Sequence, residues 1–213
     1  MGLKDQKTED RILEAAKTVF MKYGLYGARM QEIADTAGIN KALLHYYFRN
    51  KEKMFDQVFE NALSRYFQQM NIFADETLPL LDRIYIYVDS LIDFLSEYPQ
   101  MSMFIIKEIS VNPTLFKEKV NSLKKDKNSN LLTLLSAGMQ RKEIPEIDPV
   151  LFMMSLHSLC SYPFLASPIF KTIIEKSNSK FDDPANLKLK QAVKEFVAFK
   201  ISFNSTLNST SKK

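Results

Sequence analysis

The chain has 213 residues, 46% of them hydrophobic and 25% charged, a globular composition that excludes global disorder. Its net charge of +4 permits contact with nucleic acid without requiring it. A single cysteine, Cys160, excludes an internal disulfide and fits a reducing compartment. The opening Met1 to Gln6 carries no apolar signal core. No apolar run approaches the ~18 residues that cross a bilayer. The expectation is a cytoplasmic protein with no membrane partner.

Three of the five glycines, Gly24, Gly27 and Gly38, fall close together, and all eight prolines lie at or beyond Pro79. Glycine turns therefore separate short elements first, and prolines separate longer ones later. Apolar residues recur at three-to-four spacing and never alternate as in strands. The fold class is all-α. The first helix is expected over about Thr8–Tyr23, capped by Thr8 and closed by Gly24 as a left-handed cap. Its buried stripe is Ile12, Ala16, Val19, Phe20 and Tyr23. A short second helix follows over about Met30–Thr36, with Ile33, Ala34 and Ala37 facing inward, and Gly38 ends it. Asn40 caps a third helix over about Lys41–Tyr47. A long fourth helix runs over about Lys51–Phe73. Further helices are expected near 79–97, 100–110, 114–141, 149–161, 164–176 and 184–204, with a frayed tail over 205–213.

Two short helices joined by a tight glycine turn make a helix-turn-helix, whose second helix lies in the major groove of DNA. Leu44 and Phe48 pack on Ile33 and Ala37, which turns Lys41, Ala42, Leu43, His45 and Tyr46 outward. Leu, His and Tyr facing solvent on so short a helix call for a cover. Lys41, His45, Tyr47 and Lys51 suit phosphates, and Ala42 or Leu43 suits a thymine methyl. Residues 1–55 hold ten basic and seven acidic side chains, a balance of +3 out of the net +4. Periodicity and charge alone leave DNA binding and plain core packing both open.

The motif residues carry a resemblance. Ile33-Ala34, Ala37-Gly38-Ile39, Phe48 and Lys51-Glu52 followed by Phe55, with Ile12, Phe20 and Tyr23-Gly24 before them, resemble the DNA-binding head of the TetR family of regulators over about residues 8–58. The resemblance implies an N-terminal three-helix head with a helix-turn-helix (1–50), followed by a larger helical ligand-binding and dimerisation body (51–204). It sets Gln31, Lys41, Ala42, Leu43, His45, Tyr46 and Tyr47 where similar proteins touch bases or phosphates. Lys51 stands where a lysine grips a phosphate. Arg29 and Met30 depart from the Thr or Ser found there in many members. Arg29 still reaches a phosphate, but the hydroxyl cap is missing.

The body is rich in soft and aromatic residues, which suit an adaptable pocket. The resemblance implies a small-molecule site there. Phe67, Tyr87, Phe94, Met101, Phe104, Met139 and Phe152 are its candidates, and plain core is the competing reading for each. The ligand expected is apolar or amphipathic. The helices at 149–161 and 184–204 are apolar on more than one side, which suggests a four-helix bundle across a two-fold homodimer. Phe152, Leu156, Leu159, Leu189, Val193, Phe196 and Val197 are the interface candidates. His157 and Cys160 lie three apart among apolar neighbours without a carboxylate, which favours a buried structural thiol over a nucleophile. No catalytic residue, metal site or cofactor is expected. The function expected is a DNA-binding transcriptional regulator on a palindromic operator, in the first instance a repressor released by a ligand. Activation, a helical protein-interaction module that no longer binds DNA, and a helical enzyme are the alternatives.

Overall fold

The computed structural model describes residues 3–114, 117–118, 121, 131–174 and 187–210. The elements run α1 (Leu3–Gly27), α2 (Met30–Ala37), α3 (Lys41–Tyr47), α4 (Lys51–Gln68), a 3-10 segment (Gln69–Ala74), α5 (Leu80–Glu97), α6 (Met101–Val111), α7 (Leu131–Gln140), α8 (Pro149–Ile174) and α9 (Leu187–Thr210). The described residues contain no strand, and the fold is all-α. Of the helix expected over 114–141, residues 115, 116, 119, 120 and 122–130 lie outside the described residues, as do 175–186 and the tail end 211–213.

The chain forms two compact units, Met1–Arg65 with Gln100–Leu123, and Tyr66–Pro99 with Lys124–Lys213. In the first unit α1 packs on α2 and on α6. Ile12, Ala16, Val19 and Phe20 are buried with Ile33, Ala34 and Ala37, as the helical spacing requires. The Phe20 ring meets Phe55 edge-on at 5.0 Å. Phe104 of α6 closes this cluster, 5.9 Å from Phe55 and 5.5 Å from Phe59. Each such ring contributes ~1.5–3 kcal/mol by leaving water.

Gly24 does not end α1. Its φ of 70° and ψ of −179° lie in a region essentially reserved for glycine. The chain kinks there and resumes as helix to Gly27, four residues beyond the expected end. Lys107 of α6 donates to the Tyr23 carbonyl at 3.4 Å. A Cβ at Gly24 would stand 3.0 Å from the Lys107 ammonium.

In the second unit α5 packs on the 3-10 segment, α8 and α9, and α7 packs on α8. Ile84, Val88, Leu91, Ile92 and Leu95 of α5 are buried with Leu135, Phe152, Leu156, Val193 and Val197. Lys190 and Lys194 of α9 pair with Asp93 and Asp89 of α5. Three expectations are corrected here. The fourth helix stops at Gln68 and tightens into 3-10 geometry. The helices expected at 149–161 and 164–176 are one helix, α8, with Pro163 and Pro168 inside it. Each proline removes one amide from the ladder, while Phe152, Leu156, Cys160 and Phe164 keep an unbroken buried face. The last helix extends to Thr210 rather than fraying from 205. Continuity changes one further expectation. Pro149–Phe170 is long and apolar enough to cross a membrane, with mean hydropathy 1.3, because the prolines do not break the run.

Candidate nucleic-acid interface

The local sequence builds the α2–α3 turn from both sides. Gly38 adopts φ 64°, ψ 38°, and the amides of Gly38 and Ile39 close on the carbonyls of Asp35 and Ala34 at 3.1 and 3.0 Å. This satisfies the last carbonyls of α2. Asn40 Oδ1 then accepts the Leu43 amide at 2.8 Å and starts α3. Leu44 and Phe48 are buried, which fixes the rotation of α3 about its axis.

That rotation turns Lys41, Ala42, Leu43, His45 and Tyr46 to solvent. Tyr46 is 74% exposed. Tyr47 is half-buried, with its ring edge-on to Tyr46 at 5.3 Å. On α2, Gln31 is exposed and its amide donates to Asp35 at 2.8 Å. Arg29 stands at the N-cap of α2 without a side-chain cap bond, as its departure from Thr or Ser predicts. Lys51 is half-buried and donates to the Ala28 carbonyl at 3.2 Å, which ties the start of α4 to the turn before α2. Two exposed side chains near this surface escaped the sequence reading. Tyr26, 81% exposed, lies three residues before Arg29, and Arg49 follows Phe48. The glycines flanking Tyr26 were the available signal for the first.

The ligand candidates divide between the two units. Met101 and Phe104 are buried in the first, where Phe104 packs on Phe55 and Phe59. Tyr87, Phe94 and Phe152 are buried in the second, and Phe67 and Met139 are half-buried there. Phe67 and Phe94 both meet the Tyr66 ring, at 5.6 and 6.0 Å. The interface candidates divide by burial. Phe152, Leu156, Val193 and Val197 are buried within their own chain. Leu189 and Phe196 are half-buried, and Leu159 is exposed. The apolar side chains turned outward include Leu151, Met154, Leu159, Tyr162, Ile169 and Ile173 on α8, and Leu187 and Phe199 on α9.

Cys160 is free and buried, and burial pushes its thiol up to about 12. It is no nucleophile at neutral pH. His157 bonds Tyr66, with Nε2 2.7 Å from the hydroxyl, and burial lowers its pKa. Below the ordinary imidazole value of about 6.5, the unfolded chain takes up a proton that the folded chain refuses. Stability is therefore expected to fall as pH drops below about 6.5, and to level off once the folded pKa is passed. Urea midpoints measured across this range should lose that part of the slope in His157→Gln. An unchanged slope would reject the assignment. Among the described residues no group of three or more His, Cys, Asp or Glu side chains is placed to hold a metal.

A two-helix reading head on a helical body defines a helix-turn-helix DNA-binding protein. Residues 12–58 match the model of the bacterial regulatory proteins of the tetR family. The chain is 30% identical over 148 residues to the HTH-type transcriptional regulator RutR of Escherichia coli (strain K12), covering 67% of this chain and 68% of that one. It is 22% identical over 160 residues to the probable HTH-type transcriptional regulator YttP of Bacillus subtilis (strain 168), covering 74% and 77%. Its fold is similar to that of AibR, solved in complex with isovaleryl coenzyme A and operator DNA, with a TM-score of 0.67 at 18% identity over 91% of this chain and 98% of that one. The chain belongs to the TetR family. It is a DNA-binding transcriptional regulator and not an enzyme.

Proposed function

We propose that the protein is a cytoplasmic homodimeric repressor that binds a palindromic operator and is released by a small apolar or amphipathic ligand held in the helical body. The observation that carries the DNA contacts is the outer face of α3. Leu44 and Phe48 lock it, and Lys41, Ala42, Leu43, His45 and Tyr46 stand exposed on it. Lys41 and Gln31 read bases or phosphates. Arg29, His45, Tyr46, Tyr47 and Lys51 hold phosphates, and Ala42 and Leu43 meet thymine methyls. Two such heads enter successive major grooves ~34–36 Å apart.

A second copy of the chain covers the outward apolar face of α8. A bilayer is the weaker reading, because α8 packs along α5 and α9, whose facing sides carry the ion pairs of Asp89 and Asp93 with Lys194 and Lys190. AibR, solved in complex with isovaleryl coenzyme A and operator DNA, supports by analogy a fold that takes both a small molecule and DNA. Such release follows from a ligand preferring a body state that DNA does not.

The test begins with an operator selected from a random duplex pool. Two inverted half-sites about one helical turn apart are expected. Lys51→Ala should weaken binding to all duplexes and lower the salt slope by about one unit. It should also loosen the turn before α2 by ~1 kcal/mol, through the lost bond to the Ala28 carbonyl. Gln31→Ala and Lys41→Ala should change the selected bases. Parental behaviour in all three variants would sink the head assignment.

A further inference from the structure

The turn that joins α1 to α2 is held by three helices. The Ala28 amide donates to the Gly24 carbonyl at 3.2 Å, so Gly24–Gly27 forms a single helical turn beyond the kink. Lys107 of α6 donates to the Tyr23 carbonyl at 3.4 Å, just before that turn. Lys51 of α4 donates to the Ala28 carbonyl at 3.2 Å, just after it. The Ile33 amide of α2 donates to the Arg29 carbonyl at 3.2 Å. Gly24 and Ala28 are buried. A side chain carried by this turn therefore starts from a backbone that is fixed before anything binds.

The braced turn carries Tyr26, which is 81% exposed. Among the described residues of α1 to α4, the exposed large apolar side chains are Tyr26, Leu43 and Tyr46. Leu43 and Tyr46 stand on the outer face of α3, so Tyr26 is the one still without a cover. A single exposed ring is ordinary on a protein surface, and the charge around this one decides what suits it. From Ala15 to Gln31 the chain carries Lys17, Lys22 and Arg29 and no acidic residue. Lys17 pairs with Glu14. Lys22 and Arg29 are exposed, four residues before Tyr26 and three after it. A phenol between two cations suits a phosphate: its hydroxyl donates to an anionic oxygen, and the cations offset the charge. Arg29 is also the N-cap of α2, which makes this surface continuous with the reading head.

We propose that Tyr26 is a further DNA contact, donating its hydroxyl to a phosphate of the operator outside the base-reading surface of α3. The inference rests on the reading of α2 and α3 as the DNA-binding face, and it extends that face to the end of α1. The contact carries no sequence information, because every nucleotide presents the same phosphate. It is also uncharged, so unlike a lysine it releases no counter-ion. Its effect is on affinity and on placement. The turn is tied to α4 through Lys51 and to α6 through Lys107, so a phosphate held by Tyr26 fixes the end of α1 against the duplex while α3 occupies the groove.

The experiment uses the full chain and two duplexes of equal length, the operator selected from the random pool and a scrambled sequence, at a salt concentration where both bind. Tyr26→Ala should weaken binding to both about tenfold. Tyr26→Phe, which keeps the ring and loses the donor, should weaken both about threefold. The salt slope should stay at the parental value, and selection repeated with Tyr26→Ala should return the parental bases. Thermal unfolding checks that both variants fold. Parental affinity in either variant, a changed base preference, or a salt slope lowered as by Lys51→Ala would overturn the inference. Gln31→Ala and Lys41→Ala separate it from the reading of the head. If they change the selected bases while Tyr26→Ala binds like the parent, the head stands and the Tyr26 contact fails. If they behave like the parent while Tyr26→Ala weakens both duplexes, the contact stands and the base-reading assignment fails.

Discussion

Phe20→Ala is expected to lower stability by ~3–5 kcal/mol, because it opens a cavity inside a packed aromatic cluster. Phe20 is fully buried, and its ring meets Phe55 edge-on at 5.0 Å. Phe55 stacks in turn on Phe59 at 5.8 Å. A loss of this size is a large fraction of the ~5–15 kcal/mol that holds a domain folded. Tyr46→Ala is the matched control. Its ring is exposed, so chemical denaturation should move by no more than ~0.5 kcal/mol, while operator affinity falls. Equal stability losses at the two positions would mean that the inner and outer faces of the head are misassigned.

Charging the outward face of α8 should abolish assembly. Leu151 and Tyr162 are 61% and 55% exposed, and their spacing of three helical turns puts them in one line with Ile169. Leu151→Glu combined with Tyr162→Glu would place four carboxylates at a two-fold interface, facing apolar surface without counter-ions. Sedimentation at micromolar concentration should show a monomer. Its fold should survive, since neither side chain is buried in the chain's own core. Operator affinity should fall by ~10²–10⁴, because the second head no longer binds as a tethered partner. A double variant that still sediments as a dimer would place the interface elsewhere.

The helix-turn-helix, α2 and α3, was legible in the sequence to within a residue because its signals are local. Asn40 and Gly38 fix the ends of α3 and α2 through single capping bonds, and Leu44 and Phe48 mark the inner face by spacing alone. The errors came where local signals compete with packing. Gly24 looks like a helix end, and only its backbone angles show a kink that α6 presses against. Pro163 and Pro168 look like breaks, yet a continuous buried face carries the helix through them. Which side of α8 is left to solvent was hard to read for a related reason. Periodicity shows that α8 has two apolar stripes without saying which faces home. The structure turns Phe152 and Leu156 inward and Leu151 and Tyr162 outward. The pairing of Tyr66 with His157 was the least legible, since it joins residues 91 positions apart.

The place of α6 changes how this regulator can be cut. Phe104 sits against Phe55 and Phe59, yet a segment of the other unit, Tyr66–Pro99, separates it from them in sequence. The reading head is therefore not a contiguous piece of chain. A fragment ended after α4 would expose two large aromatic rings that α6 normally covers, and aggregation is its natural fate. A chimera that exchanges reading heads between regulators must carry α6 with the head, or redesign the Phe55–Phe59 surface to meet water.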